Sequence, residues 1–434
     1  MAISFSGLAS GLDTGSLIDQ LVAVENSRAK ALVSRQNDLN TKKSIVSSLG
    51  AALANLGNLA KGMDLASEVQ PRKATVSDAR VAVAASSTAA PGTYDLRVKQ
   101  LAQAQSTVSR GLSSSGAGVL GDGGVTITVG GVAKSVAWTS ADSLDAIATK
   151  INAANAGVSA SVLYDGAAYR LVTIATGSGE AAAPTFVDTG DGLDLANASN
   201  IKVPAKDAIV TINGLDVSRP TNVMSDVIAG LTLTLGSVPA STEPSTKITV
   251  AQDTDAITTK VKDLVAAFNS VNGALHVQLD YTGTTKGANT LFGDSTLRQL
   301  QQQIGRLASS EYGSSNLAMI GITRDKTGAM TLDSSKLVAA ITADPDALAK
   351  VFVTGGFATS ISSLTETYTR AGDGLFATKT QSFTDRSKGL QAQIDRIYAG
   401  ADSLKARLEK QFSTLESAMS DLRRQSSALT SMIG

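Results

Sequence analysis

The chain carries almost none of the side chains from which active sites are built. Its 434 residues include no cysteine and one histidine, His276. Without cysteine there is no disulfide, thiolate nucleophile or cysteine metal site. Zinc and iron sites draw on two or three His or Cys ligands, which one histidine cannot supply. His276 falls beside an apolar stripe of a predicted helix, which makes it a helix residue rather than a general base or triad member. No Gly-x4-Gly-Lys-Ser/Thr run exists, and GTTKG (283–287) reads as a turn. DTGDGLD (188–194) gathers carboxylates and glycines, but its spacing is not that of an EF-hand, so it reads as an exposed acidic turn. Nothing marks out a carboxylate pair for acid–base work. The expectation is a non-enzymatic protein with no catalytic residue, no metal and no cofactor.

Composition narrows the partners. Lys plus Arg and Asp plus Glu are 38 each, so the formal net charge is zero. Nucleic-acid binders show a basic excess, so nucleic acid is not an expected partner. Hydrophobic residues reach 43%, enough for several cores, whereas aromatics are only 4%. The start, MAISFSGLASGLDTG, has no Lys or Arg and no continuous apolar core, unlike a secretory signal peptide. No apolar run is read as a membrane span, so membrane insertion is not expected. These features fit a cytosolic chain or one exported by a route that reads no such signal. The length suggests two to four domains.

The elements follow from proline and from period. All eight prolines lie between Pro71 and Pro345, and residues 401–432 lack both Gly and Pro. Long helices require this, because Pro breaks the backbone ladder and Gly costs about 1 kcal/mol in a helix interior. The proline-free ends carry heptads. Leu32, Leu39, Val46 and Leu53 recur every seven residues, with Leu49, Leu56 and Met63 at a second core position. Near the other end Ile394, Ala401, Leu408, Leu415, Leu422 and Leu429 form one row, and Phe383, Leu390, Ile397 and Leu404 the other. Sustained heptads predict coiled-coil packing, the alternative being an amphipathic helix on a globular core. Arg35 and Lys42 fall at core positions of the first seam, Gln411 and Gln425 at those of the second. Each buried Leu is worth about 1.5–3 kcal/mol, while polar core residues weaken a coil and fix its register. The coils are therefore expected to be marginal alone and ordered by assembly. A capping pattern, Ser16-Leu-Ile-Asp19, opens the first helix, and the first fifteen residues are expected to be disordered when free.

The middle switches to period two. Tyr94, Leu96 and Val98, then Val125, Ile127 and Val129, then Leu231, Leu233 and Leu235 alternate with polar residues and predict half-buried strands. Gly130-Gly131, Asp165-Gly166 and Asn213-Gly214 read as hairpin turns. VTITVGG (125–131) followed by LDAIATKINAA (144–154) parallels IVTINGL (209–215) followed by MSDVIAGLTLTL (224–235). This is either an internal repeat of two β modules or a chance likeness of hairpins. Helical stripes resume after Asp253, after Asp294 and after Asp344-Pro345.

Several blocks, in order, carry a family resemblance. GLASGLDTGSLIDQLVAVE (7–25), PGTYDLRVKQLAQAQ (91–105), LFGDSTLRQL (291–300), IGITRDKTGAMTLDSSKL (320–337) and GLFATKTQSFTDRSKGLQAQIDRI (374–397) resemble the flagellar filament cap, or hook-associated cap, family. INGLDVSRPTNVMSDVIAGLTLTL (212–235) resembles the IN motif of hook and cap proteins. The stretch 110–206 resembles the family least, apart from its hook-like VTITVGG.

The resemblance implies a secreted protein of the bacterial flagellum, exported through the type III apparatus with a cytosolic chaperone. It would form a pentameric or hexameric ring at the filament tip and insert flagellin beneath it. Lack of cysteine suits a chain that travels unfolded and ends outside the cell. Other readings are a hook–filament junction or flagellin-like axial protein, and an adhesin whose β head binds host mucus glycans. The expected fold is a multidomain α+β chain whose helical, coiled-coil ends pair with each other and flank a β-rich head of two modules. Residues 1–40 and 391–434 would form a terminal coiled-coil leg that is disordered when free, and 41–72 with 253–390 a helical domain. Residues 73–109 with 207–252 would form one head module, and 110–206 an inserted outer one.

Overall fold

The computed structural model describes residues 13–280 and 290–433. The predicted GTTKG turn and the first twelve residues of the expected disordered start lie outside the described residues. Residues 13–15 are described and open the first helix, which starts at Thr14. Its cap lies earlier than Ser16: the Asp13 carboxylate accepts from the Ser16 N–H.

Along the chain, α1 (Thr14–Lys61) and α2 (Ala66–Val69) lead into β1 (Arg72–Val76), β2 (Val81–Ala85), β3 (Gly92–Gln100), β4 (Ser106–Val108), β5 (Gly123–Val129) and β6 (Val132–Trp138). After α3 (Leu144–Ala153) come β7 (Val158–Tyr164), β8 (Tyr169–Ala175), β9 (Thr185–Gly190), β10 (Ile201–Val203), β11 (Ala208–Ile212), β12 (Leu215–Arg219), β13 (Val223–Met224), β14 (Leu231–Leu235) and β15 (Thr246–Gln252). Then α4 (Thr254–Leu279) and α5 (Ser295–Leu307) precede β16 (Glu311–Tyr312), β17 (Ser315–Asn316), β18 (Ile322–Arg324) and β19 (Met330–Leu332). The chain ends with α6 (Ser334–Ala343), α7 (Ala347–Phe352), α8 (Phe357–Thr369) and α9 (Leu375–Ile433). It divides into two compact units, Met1–Val69 with Ile257–Gly434, and Gln70–Ala256.

The β unit contains two modules. In the inner one, five strands pair in the order β1-β15-β3-β11-β12, beside a three-stranded sheet β13-β14-β2. Period-two alternation puts Leu96, Val98, Val210, Leu231, Leu233 and Ile248 into one core. Asn213 and Gly214 both have positive φ and turn the β11–β12 hairpin, as their types require. Asp78 binds Arg80 and Thr246, and the Arg80 guanidinium holds its carboxyl down at about 2.

The outer module has a sheet β10-β4-β8-β7, a sheet β6-β5-β9 and helix α3 around Trp138, Ile127, Ile147, Ile151 and Leu171. Its boundary corrects the sequence reading. Ser106–Val108 pairs with β8 and β10, so this strand belongs to the outer module and not to 73–109. The chain enters and leaves at one point, where Gln103 and Lys206 exchange backbone hydrogen bonds of 2.9 and 3.2 Å. Replacing 105–205 by a short Gly/Ser linker should therefore leave the inner core intact. We expect a soluble chain that still melts cooperatively; insoluble material would show that the modules fold as one. The expected repeat holds for the hairpins alone. After β6 the chain forms α3, whereas after β12 it runs through β13 and a turn straight into β14.

In the helical unit, the stripes of α4, α5, α7 and α8 close on the C-terminal half of α1. Asp294 caps α5 through two backbone N–H groups and pairs with Lys379 of α9. Asp253 caps α4, the carboxylate accepting from Ala256 N–H. At Asp344-Pro345 the cap falls two residues later than expected, at Asp346, with Asp344 accepting from its N–H. Asn269 of α4 holds Met330 of β19 by both backbone groups, at 2.7 and 2.8 Å, which fixes the small β18–β19 hairpin to the helix. Residues 347–369 are apolar enough for a span, contrary to the sequence reading. They form two helices, however, and Leu348, Val351, Phe352, Phe357 and Ile361 fill the core.

Candidate assembly interface

The candidate interface is built on α1 and α9, which lie antiparallel along one another. Gln36 donates to Gln391 at 2.8 Å and to the Ser387 carbonyl at 3.3 Å, and Ser387 bonds Asn40. Lys405 meets Asp19 at 3.4 Å, the only ion pair between the two helices among the described residues. Continuing that register places Thr14 beside about residue 411, so the last twenty or so residues of α9 extend past the start of α1.

The predicted rows separate into three groups. Val46, Leu49, Leu53 and Leu56 are fully buried in the core of the helical unit. Leu32, Leu39, Leu390, Ile397, Leu404 and Leu408 are half-buried along the two-helix seam, with Ile394 and Ala401 fully buried there. Leu415, Leu422 and Leu429 continue the same row but are 46%, 58% and 58% exposed. Burial thus fades along one row at the level where α1 begins.

One part of the predicted seam is corrected. Arg35 is exposed and Lys42 only half-buried, so neither is a core residue. Gln36 and Gly50, one position further along, face α9 instead. Gly50 approaches closely: a Cβ there would stand 3.5 Å from the Phe376 ring. The error came from extending Leu49 and Leu56 backwards. Those leucines belong to the core of the helical body. At Gly57 the neighbour is α8, and a Cβ would come within 2.2 Å of Thr365 Oγ1, so only glycine fits that crossing.

Arg35 and Lys42 instead line an open groove of about 510 Å³ between the helices, with Arg386 across from them, Leu39 and Leu390 also lining it, and Asp38 the one acid. Sequence reasoning also missed an exposed apolar strip on α1. Leu17, Leu21 and Val24 are 48%, 44% and 67% exposed, while Ile18 between them is buried. Their i, i+4, i+7 spacing was visible, but without the partner helix nothing told which face was taken. His276 is an exposed residue of α4, next to buried Leu275. Among the described residues no group of three His, Cys, Asp or Glu side chains is placed to hold a metal.

Known proteins give this architecture a family. The model of the Flagellar hook-associated protein 2 C-terminus matches residues 205–424, and that of its N-terminus matches 10–105. The Flagellin hook IN motif matches 124–177. That match takes in the hook-like VTITVGG at 125–131, while 212–235 falls within the match to the C-terminus. Flagellar hook-associated protein 2 of Escherichia coli K12 is 31% identical, over 99% of this chain and 97% of that protein. The A-type flagellar hook-associated protein 2 of Pseudomonas aeruginosa is 28% identical, over 99% and 98%. The crystal structure of the D1-D2-D3 domains of the Escherichia coli flagellar cap protein FliD superposes with a TM-score of 0.67 at 30% identity, covering 78% of this chain and 99% of that one. With helical ends, a β-rich middle and relatives aligned along nearly its full length, the chain belongs to the flagellar hook-associated protein 2 family of flagellar cap proteins.

Proposed function

We propose that this chain is the structural cap at the distal tip of the bacterial flagellar filament. It acts outside the cell as a homo-oligomeric ring of five or six copies. There it promotes flagellin polymerisation and keeps flagellin monomers from escaping. It is not an enzyme on this reading. The full-length alignment with hook-associated protein 2 relatives carries the proposal. The two-helix leg supports it, because Leu415, Leu422 and Leu429 extend an apolar row past the end of its partner helix. In a cap, that row would be covered by assembly, either by a neighbouring copy or by flagellin. Export through the flagellar type III apparatus, with a cytosolic chaperone, completes the reading. Cysteine is absent throughout, as suits passage in the unfolded state.

The test is genetic and visual. A strain lacking this chain should shed unpolymerised flagellin into the medium and show bare filament tips by electron microscopy. Restoring the gene should return flagellin to filaments. Normal filaments in the deletion strain would sink the proposal.

A further inference from the structure

Around residues 395–410 of α9 the two sides of the α1–α9 leg carry opposite charge, whereas exposed Lys388 and Lys30 stand on the acidic side below that level. At 3.6 residues per turn, residues seven apart stay on one side of a helix. On α9, Asp395, Asp402 and Glu409 recur at that spacing, all exposed. They share a side with Lys405, whose bond to Asp19 shows which edge of α1 flanks them. The opposite side of α9 carries Arg386, Arg396, Arg407 and Lys410, all exposed. Arg386 lines the groove with Arg35 and Lys42, which shows that the basic row of α1, Arg28, Arg35 and Lys42, belongs to this side. The exposed strip Leu17, Leu21 and Val24 lies on the same edge of α1 as that basic row, level with Arg407 and Lys410 in the antiparallel register. On the acidic side at this level stands Tyr398, 43% exposed.

We propose that the legs of neighbouring copies pack side by side, the basic flank of one against the acidic flank of the next. The inference rests on the oligomeric cap reading above. A contact between two different flanks is heterologous, and such contacts close into rings when the rotation allows. Neighbours in a closed ring are related by rotation, so equal levels meet. Arg396, Arg407 and Lys410 around the Leu17–Leu21–Val24 strip then face Asp395, Asp402 and Glu409 beside Tyr398. The apolar strip supplies burial, and the charges reject the reversed pairing of like flanks. Copies should also associate more weakly as salt rises past the physiological range.

Charge reversal in the full chain tests this. At the level of residues 402–410, R407E/K410E makes both flanks acidic and D402K/E409K makes both basic. Each should weaken self-association by at least about tenfold in sedimentation at physiological salt. The chain carrying all four substitutions should return to within about threefold of the wild type, because the charges at that level are exchanged and still complementary. Helical circular dichroism should be unchanged in all three, since every altered residue is exposed. Two wild-type-like double variants would overturn the proposal, as would a fourfold variant as weak as either double. Double variants that self-associate normally yet fail to retain flagellin would overturn it too, and assign the flank to flagellin instead. Whether the wild-type gene restores filaments in the deletion strain is a separate readout. That result decides the cap reading, whereas the association constants decide the flank pairing.

Discussion

Leu53→Asp is expected to unfold the helical unit and leave the β unit folded. Leu53 is 0% exposed and packs in the core formed with α4, α5, α7 and α8. Truncating such a leucine to Ala costs about 2–5 kcal/mol, and an unpaired carboxylate adds a further desolvation cost. Domains are stable by about 5–15 kcal/mol, so the substitution removes most or all of the margin. The molecule supplies separate reporters for its two units. Its single tryptophan, Trp138, is 3% exposed in the outer β module. Trp138 fluorescence therefore follows the β unit, while circular dichroism at 222 nm follows the helices, most of which lie in the other unit. The variant should lose its cooperative helical transition and keep a wild-type Trp138 transition. Simultaneous loss of both signals would mean that the units do not fold independently. Survival of the helical transition would remove Leu53 from the core.

How much of this was legible in the residues depends on what each feature needs. Local features came through because a few adjacent residues determine them. The Gly130-Gly131, Asp165-Gly166 and Asn213-Gly214 turns all sit between paired strands. Asp294 caps α5 because a carboxylate directly before a helix meets free N–H groups. The alternation in β14 shows directly in its burial, with Leu231, Leu233 and Leu235 inward. Features set by a distant partner did not come through. Strand β4 has only three residues, and its place in the outer sheet is fixed by β8, more than sixty residues on. The heptads of α1 gave the right helix but the wrong second face. Leu49 and Leu56 serve the body while Gln36 and Gly50 serve α9, and one helix has two neighbours at different levels. The charged flanks were also present in the residue spacing. They acquired meaning only when the groove and the Lys405–Asp19 pair showed which sides of the two helices lie together.

The opposite behaviour is expected where the same kind of row leaves the core. Leu415→Lys should leave both melting transitions where they are and abolish capping. Leu415 is 46% exposed, beyond the level at which α1 begins, so the isolated chain loses little apolar contact. Lysine is also a good helix former, and an ammonium at an exposed position stays hydrated. In the assembled cap the balance changes. A leucine that becomes buried is worth about 1.5–3 kcal/mol, and a charge forced into the covered row adds desolvation on top. The cost recurs at every copy around a ring, so a change that is silent in the monomer is multiplied in the assembly. Cells carrying the variant should export the protein at normal levels, shed flagellin and show bare filament tips. Leu422→Lys, one heptad on and 58% exposed, should do the same if the whole row is covered. Leu415→Met keeps the apolar surface and should cap normally, which separates loss of burial from a change of shape. Normal filaments with Leu415→Lys would show that the row stays in water even in the cap. A lowered helical melting temperature in the isolated variant would instead show that Leu415 already has a partner within its own chain.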